Sequence, residues 1–149
     1  MYRILFICHG NICRSTMAQF VFADLVHRAG REGEFTIDSA ATSREEIGNP
    51  PHYGTVQKLR KVGVPVLPHR ARQITRAEYA RWDYIVYMDA ENRHGLMRIL
   101  NGDPEDKCIR LLDLVGVDRD VADPWYTGDF DATYRDVLAG CTALLERFS

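Results

Sequence analysis

The amino-acid sequence predicts an α/β fold, with four mostly parallel strands in one sheet and helices on both faces of that sheet. Segments of strand character alternate with segments of helical character along the whole chain, a pattern typical of parallel sheets joined by helical crossovers. The first strand, at residues 4–7, is continuously apolar, as in strands buried on both faces. The 149 residues suffice for one hydrophobic core, and we expect a single domain over residues 1–149.

The first half of the chain supplies two strands and two helices. Residues 15–29 are rich in large apolar side chains and alanine and are followed by Gly30, a residue type that commonly ends helices. A shorter strand is predicted at residues 35–38. Residues 52–62 are helical in character and are closed by Gly63. The order so far is strand, helix, strand, helix.

The second half repeats this order. Residues 75–78 resemble a short capped helix ahead of a strand at 84–88. A helix over 91–100 and a strand over 108–112 follow. The last helix, over 130–148, is the most regular, because its apolar residues recur at spacings of three and four. Ligands of such folds bind beyond the carboxyl ends of the strands, so we expect the site where the first strand gives way to a helix.

Composition and charge exclude several classes of partner. Hydrophobic residues make up 46% of the chain, charged residues make up 27%, and the formal net charge is -2. This balance is that of an ordinary globular protein and creates no global field for nucleic acid or an anionic membrane. No apolar run approaches the roughly 20 residues needed to span a bilayer. Neither nucleic acid nor a membrane is therefore an expected partner.

The N-terminus and the cysteines indicate a cytoplasmic protein. The apolar stretch at the N-terminus is short and runs directly into a glycine-containing loop, which is typical of a buried strand rather than a signal peptide. Four cysteines lack both the density of a secreted disulfide framework and the paired spacing of a zinc site: Cys8, Cys13, Cys108 and Cys141. We expect reduced thiols and no metal, with export by a route without a cleaved signal left open.

The most informative segment is CHGNICRS at residues 8–15, between the first predicted strand and the first helix. A loop there directs backbone N–H groups into a concavity, and the helix dipole adds positive potential, so the segment predicts an anion site. Arg14 adds a planar fork of donors that matches phosphate oxygens. The same field favours the thiolate of Cys8, which becomes a nucleophile directed at phosphorus. Ser15 can donate a hydrogen bond to that thiolate.

The spacing alone is a weak signal, because cysteine and arginine six positions apart are common by chance. The alternative is a buried cysteine at a strand end, with Arg14 as a surface charge on a helix. Gly10, which relieves crowding, and Asn11, which tolerates a left-handed backbone, both suit a tight loop. The position between strand and helix therefore favours a phosphatase.

The segment CHGNICRS closely resembles the phosphate loop of the low-molecular-weight protein tyrosine phosphatases. Three further motifs occur in the family's order and extend the resemblance over nearly the whole chain: IDSAAT at 37–42, GNPP at 48–51 and DPWY at 123–126. The resemblance implies a flavodoxin-like fold and hydrolysis of phosphotyrosine and aryl phosphates through a phosphocysteine on Cys8, without a cofactor. Its implied partners are phosphotyrosine-containing proteins, with inorganic phosphate as product.

The resemblance also implies roles for residues outside the loop. Asp123 is the general acid that protonates the departing tyrosine oxygen and later activates water, although an Asp-Pro pair alone would indicate only a turn. Trp125 and Tyr126 wall a slot for the phenyl ring. Ser39 and His69 hydrogen-bond the loop asparagine and hold its backbone in place.

Substrate contacts are expected along the loop and at its mouth. The loop contacts are His9, Gly10, Asn11, Ile12, Cys13 and Ser15. Glu45 stands where many family members carry tryptophan or tyrosine, which removes an aromatic wall and adds negative charge to the rim. Thr16 replaces the proline of many members, a mild change at a helix N-terminus. We expect the chemistry to survive, whereas substrate preference and rate are the properties that these departures leave open.

Three alternatives differ in activity. An arsenate reductase of the same fold would need cysteines on a helix after the third strand, and residues 89–103 contain none. Protein-arginine phosphatases carry threonine before the second loop cysteine, where this chain has Ile12. A non-catalytic phosphate-binding module would need neither Cys8 nor Asp123. Turnover of an aryl phosphate separates an enzyme from a binder.

Overall fold

The computed structural model describes residues 1–149 and contains one sheet of four strands. Their bounds are β1 Tyr2–Cys8, β2 Phe35–Ala41, β3 Tyr84–Tyr87 and β4 Cys108–Arg110. All neighbours pair in parallel, in the spatial order β2-β1-β3-β4. The predicted parallel sheet is confirmed. Because β1 lies between β2 and β3, the loop that follows β1 emerges at the centre of the sheet's carboxyl edge.

Five helices connect and cover the strands: α1 Arg14–Arg28, α2 Tyr53–Lys61, α3 Ala90–Leu100, α4 Pro124–Thr127 and α5 Phe130–Glu146. Successive residues of β1 face opposite sides of the sheet. Ile4 and Phe6 belong to the core beneath α1 and α5, whereas Leu5 and Ile7 pack with Leu96 of α3 on the other face. Helices therefore cover both faces, as predicted. None of them has the length and apolar character to cross a membrane.

Several boundaries differ from the sequence prediction by one to three residues; β2, for example, runs to Ala41 rather than ending at residue 38. The fourth strand ends at Arg110, and Leu111–Val115 form a 3₁₀ helix that ends at Gly116 in the left-handed conformation. The reason is tertiary, because Leu111 packs directly on the backbone of Gly140 in α5 and so leaves the plane of the sheet. His52 caps α2 rather than beginning it. The short capped helix is confirmed as a 3₁₀ helix over Arg76–Arg81.

Candidate active site

The loop between β1 and α1 forms the floor of a pocket at the carboxyl edge of the sheet, with a volume of about 100 Å³. Eleven residues line this pocket: Cys8, His9, Gly10, Ile12, Cys13, Arg14, Glu45, Glu46, Asp123, Trp125 and Tyr126. Of these, only Glu46 was not predicted from the sequence. Asn11 and Ser15 are fully buried and lie behind the floor rather than on it. The structure thus brings the separate sequence motifs to one place.

The sulfur of Cys8 has two hydrogen-bond partners at the floor. Ser15 Oγ lies 3.0 Å from Sγ, and the backbone nitrogen of Asn11 donates to Sγ at 3.3 Å. Because Asn11 Nδ2 donates to Ser15 Oγ at 2.8 Å, the hydroxyl proton of Ser15 is free to point at the sulfur. Two donors are thus directed at this sulfur.

Asn11 holds the loop in a conformation that most residues avoid. Its φ is 60°, in the left-handed region, and its side chain is completely buried. Nδ2 donates to Ser39 Oγ at 2.9 Å as well as to Ser15. Oδ1 accepts from His69 Nε2 at 2.8 Å and from the backbone N–H of Arg72 at 3.2 Å. These four bonds satisfy the buried amide and fix the loop around Cys8.

His69 supports this network as a neutral imidazole. Burial lowers its pKa and outweighs the opposing effect of Asp38, whose Oδ1 lies 3.7 Å from Nδ1. Since Asn11 Oδ1 is an acceptor, the ring proton resides on Nε2. Ser39 Oγ extends the network by donating to Gln19 Oε1 at 2.5 Å. Gln19 had no sequence signal, because its partner is twenty residues away on β2.

A charged cluster behind these residues also escaped the sequence reasoning. The guanidinium of Arg72 bonds Asp38 Oδ2 and both carboxylate oxygens of Glu78, each at 3.0 Å. Glu78 is buried and also accepts from the Thr75 backbone at 2.8 Å and from Trp82 Nε1 at 3.2 Å. The capping box at Thr75 was the only local signal for Glu78. The cluster anchors the backbone N–H that reaches Asn11.

Arg14 is buried at the wall of the pocket, not a surface charge. Nη1 donates to Asp89 Oδ2 at 2.7 Å and to the carbonyl oxygen of Val121 at 2.8 Å, and Nη2 lies 3.5 Å from Asp123 Oδ2. Burial lowers its pKa, but the negative charges of Cys8, Asp89 and Asp123 outweigh burial and raise it. The guanidinium therefore remains charged and fixed beside Cys8. No sequence motif had pointed to Asp89, which directly follows the strand predicted at residues 84–88.

Asp123 precedes the short helix α4 and caps it. Oδ1 accepts from the backbone N–H of Trp125 at 3.0 Å, while Oδ2 faces Arg14. Pro124 at the first helical position suits this turn, since its fixed φ is already helical. One carboxylate oxygen is thus held by the backbone and the other lies in the pocket. This is a suitable position for a proton donor.

The pocket lining includes exposed aromatic rings and acidic side chains. Trp125 is 57% exposed and Tyr126 is 84% exposed, so neither is an ordinary core residue. Glu45 Oε2 lies 2.9 Å from His9 Nε2, within hydrogen-bond distance. Glu46 lies nearby, against the backbone of Gly10. The rim therefore combines aromatic surface with two carboxylates.

Cys13 lies near Cys8 but in a different environment. It is buried, and burial together with the nearby Cys8 raises its pKa to about 12. Cys13 is consequently a neutral thiol at physiological pH. All four cysteines are free. No group of three or more histidine, cysteine, aspartate or glutamate side chains is arranged to hold a metal ion.

Comparison with known protein families gives a match over residues 3–149 to the model described as low molecular weight phosphotyrosine protein phosphatase. The chain is 42% identical over 147 residues to a low molecular weight protein-tyrosine-phosphatase of Bacillus subtilis, and the match covers 97% of this chain and 94% of that protein. The crystal structure of that Bacillus subtilis protein superposes with a TM-score of 0.95 and covers 99% of this chain and 94% of the other.

Two further solved structures share the fold at lower identity. A low molecular weight protein tyrosine phosphatase from Streptococcus pyogenes has 36% identity and a TM-score of 0.90, over 100% of this chain and 94% of the other. A Drosophila arginine phosphatase has 28% identity and a TM-score of 0.87, over 98% of this chain and 97% of the other. The fold thus occurs in proteins described as tyrosine phosphatases and in one described as an arginine phosphatase.

Proposed function

This chain belongs to the low molecular weight phosphotyrosine protein phosphatase family, and we propose that it hydrolyses phosphotyrosine in proteins through a phosphocysteine on Cys8. Family membership confirms the resemblance seen in the sequence. The observation that carries the proposed mechanism is the pair of hydrogen bonds to Cys8 Sγ, from Ser15 and from the backbone of Asn11, in a pocket that also contains Arg14 and Asp123.

Substrate binding relies on the loop and on Arg14. The phosphate dianion sits above Cys8, where it accepts hydrogen bonds from the loop N–H groups and from the guanidinium fork. Because Asp89 and the carbonyl of Val121 already hold Arg14, the fork loses little conformational freedom on binding. The phosphorus is then positioned for attack by the sulfur.

Two displacement steps follow. In the first, Cys8 Sγ forms a bond to phosphorus while the bond to the tyrosine oxygen breaks, and Asp123 transfers its proton to that oxygen. In the second, Asp123 takes a proton from water as the water oxygen attacks phosphorus, and the sulfur–phosphorus bond breaks. Ser15 and the N–H of Asn11 stabilise the departing thiolate. The products are tyrosine and inorganic phosphate.

The rim supports a preference for aryl phosphates. The exposed rings of Trp125 and Tyr126, together with Ile12 in the lining, provide apolar surface for a phenyl ring. A phosphoserine side chain is too short to place its phosphorus at Cys8 and also fill this slot. Phosphotyrosine-containing proteins are therefore the proposed substrates.

The test compares phosphotyrosine, phosphoserine and phosphoarginine peptides of one sequence, with Cys8→Ser as the matched control. We expect turnover of phosphotyrosine far above that of phosphoserine and phosphoarginine, abolished in Cys8→Ser, and a phosphoenzyme detectable by mass spectrometry after rapid acid quenching. Preferred hydrolysis of phosphoarginine would make the chain an arginine phosphatase. Phosphate binding without turnover of any peptide would leave only a binding module, and turnover retained in Cys8→Ser would overturn the mechanism.

A further inference from the structure

Three rings form a row that links the underside of the phosphate loop to the pocket wall. The imidazole of His52 stacks on Phe130 with ring centroids 5.4 Å apart and planes inclined by 22°. His52 also meets Trp125 edge to face, with centroids 5.7 Å apart and planes inclined by 80°. Trp125 is more than half exposed, so few other contacts determine where its indole lies. His52 is its aromatic neighbour.

His52 is itself fixed at its backbone and at its ring. Its backbone N–H donates to the carbonyl oxygen of Ile12, inside the phosphate loop, at 2.7 Å. Its Nδ1 accepts from the backbone N–H of Gly54 at 2.9 Å and so caps α2. A ring nitrogen that accepts a hydrogen bond carries no proton, so the ring proton of His52 lies on Nε2. The ring therefore has one orientation, set by the loop and by the helix.

Phe130 anchors the far end of the row. It packs against the small cluster of Ile12, Cys13 and Ala71 that lies under the loop. Its ring also rests directly on Gly54, where any Cβ would overlap the ring carbons. The close approach of the Phe130 ring to the backbone therefore requires glycine at position 54. The row Phe130–His52–Trp125 is continuous from the loop to the rim.

We propose that His52 is a positioning residue that holds Trp125 as the wall of the phenyl-binding slot and so contributes to the selection of aryl over alkyl phosphates. This rests on the proposed phosphotyrosine hydrolysis. The effect is transmitted by one edge-to-face contact, and such contacts are worth enough to change relative affinity severalfold. Nothing in the CHGNICRS or DPWY motifs specifies this residue, because the contact is formed between distant loops.

The experiment separates the ring of His52 from its capping nitrogen. His52→Asn keeps a capping acceptor and removes the ring, with His52→Ser as a second variant of the same kind, whereas His52→Phe keeps a ring and removes the cap. The substrates are p-nitrophenyl phosphate, phosphotyrosine and a short alkyl phosphate, with kcat and KM determined separately. His94→Asn, on the exposed side of α3, is the matched control.

We expect His52→Asn and His52→Ser to raise KM for phosphotyrosine by about 2- to 10-fold while the alkyl phosphate is unaffected. His52→Phe should keep the aryl preference but lower the melting temperature, because the cap of α2 is lost. Acrylamide quenching of tryptophan emission should increase in the ringless variants, since Trp125 loses its neighbour while Trp82 stays buried.

Two results would overturn the inference. The first is an unchanged ratio of aryl to alkyl efficiency in folded His52→Asn or His52→Ser. The second is an equal loss of that ratio in His52→Phe, which would assign the effect to the helix cap. Failure of the wild type to hydrolyse phosphotyrosine would instead contradict the proposed function, and the quenching measurement would still report whether His52 holds Trp125.

Discussion

Arg14 Nη2 lies 3.5 Å from Asp123 Oδ2, so the guanidinium and the proposed proton donor face each other across the pocket. A phosphate that takes the free donors of Arg14 competes with this contact. Binding would then release one oxygen of Asp123 toward the leaving group, while Oδ1 remains held by the N–H of Trp125 at 3.0 Å. The two residues are thus coupled through the substrate.

The first prediction concerns the nucleophile and the phosphate clamp. Cys8→Ser and Arg14→Lys should each lower turnover of p-nitrophenyl phosphate by at least about 10³-fold, and the double variant should lose little more, because thiolate and guanidinium act as one unit. Lysine cannot reproduce the bidentate fork held by Asp89. Cys8→Ser should still bind vanadate. The control for Arg14→Lys is Arg135→Lys, on the exposed side of α5. Additive losses would show that the two residues act separately.

The second prediction concerns the proton donor. Asp123→Asn should slow the first step by roughly 10²–10⁴-fold for poor leaving groups and much less for activated phenols, because only poor leaving groups need the proton. The measurement is a series of aryl phosphates whose phenols differ widely in pKa. Asparagine can still cap α4, so the fold should be retained. Equal losses across the series would remove Asp123 from this role.

The third prediction concerns the acidic rim. Glu45→Tyr should lower KM for aryl phosphates by about 2- to 3-fold, because it replaces a carboxylate with a ring at the mouth of the slot. It also removes the 2.9 Å contact with His9. Glu91→Tyr, exposed on α3, controls for the loss of a surface charge. An unchanged or higher KM for Glu45→Tyr alone would show that the rim at this position does not contact the phenyl ring.

The fourth prediction concerns oxidation. Peroxide should oxidise Cys8, at the floor of the pocket, to a sulfenic acid, and the thiol of Cys13 should then displace water to form a Cys8–Cys13 disulfide. Wild type should recover most of its activity with dithiothreitol, and Cys13→Ser much less. The raised pKa of Cys13, about 12, makes it a slow partner, because only the thiolate attacks readily.

Cys108→Ser is the matched control for oxidation, since Cys108 is a free thiol on β4, outside the pocket. It should recover like wild type. Equal recovery in Cys13→Ser, with no peptide linked through Cys8 and Cys13 by mass spectrometry, would contradict the prediction.

The fifth prediction concerns the pH dependence of stability. Burial lowers the pKa of His69 below its ordinary value of 6.5 in the folded state, so the unfolded chain binds the proton more readily. Stability contributed by His69 is therefore fully present above its unfolded pKa and is lost as the pH falls through the folded pKa. The urea midpoint of wild type should fall between about pH 7.5 and about pH 5.5.

His69→Gln should show a smaller fall of the midpoint over this range, although it is less stable at neutral pH because a bond to Asn11 is lost. His94→Gln, exposed on α3, should behave like wild type. If the urea midpoint fell equally with pH in His69→Gln and in wild type, other groups would set the pH dependence of stability.

Periodicity and local context were sufficient for most of the fold. The apolar run of β1, the three- and four-residue spacing in α5 and the alternation of strands and helices are properties of neighbouring residues, so they predicted the parallel sheet correctly. The phosphate loop could be identified for the same reason, because residues 8–15 follow one another directly between a strand and a helix.

The sequence by itself therefore determined the architecture, the phosphate loop and, through the resemblance of its motifs, the family. Through the same resemblance it implied Ser39 and His69 as supports of Asn11, whereas only the tertiary structure showed that Gln19 and Arg72 join them and that Asp89 holds Arg14. Arg14 and Asp123 are 109 positions apart and Arg14 and Asp89 are 75 apart, and they meet because parallel strands bring their carboxyl ends to one edge of the sheet. The early end of β4, where Leu111 packs on Gly140, and the placement of His52 against Trp125 were also decided by the tertiary structure. They depend on packing between segments that no local pattern relates.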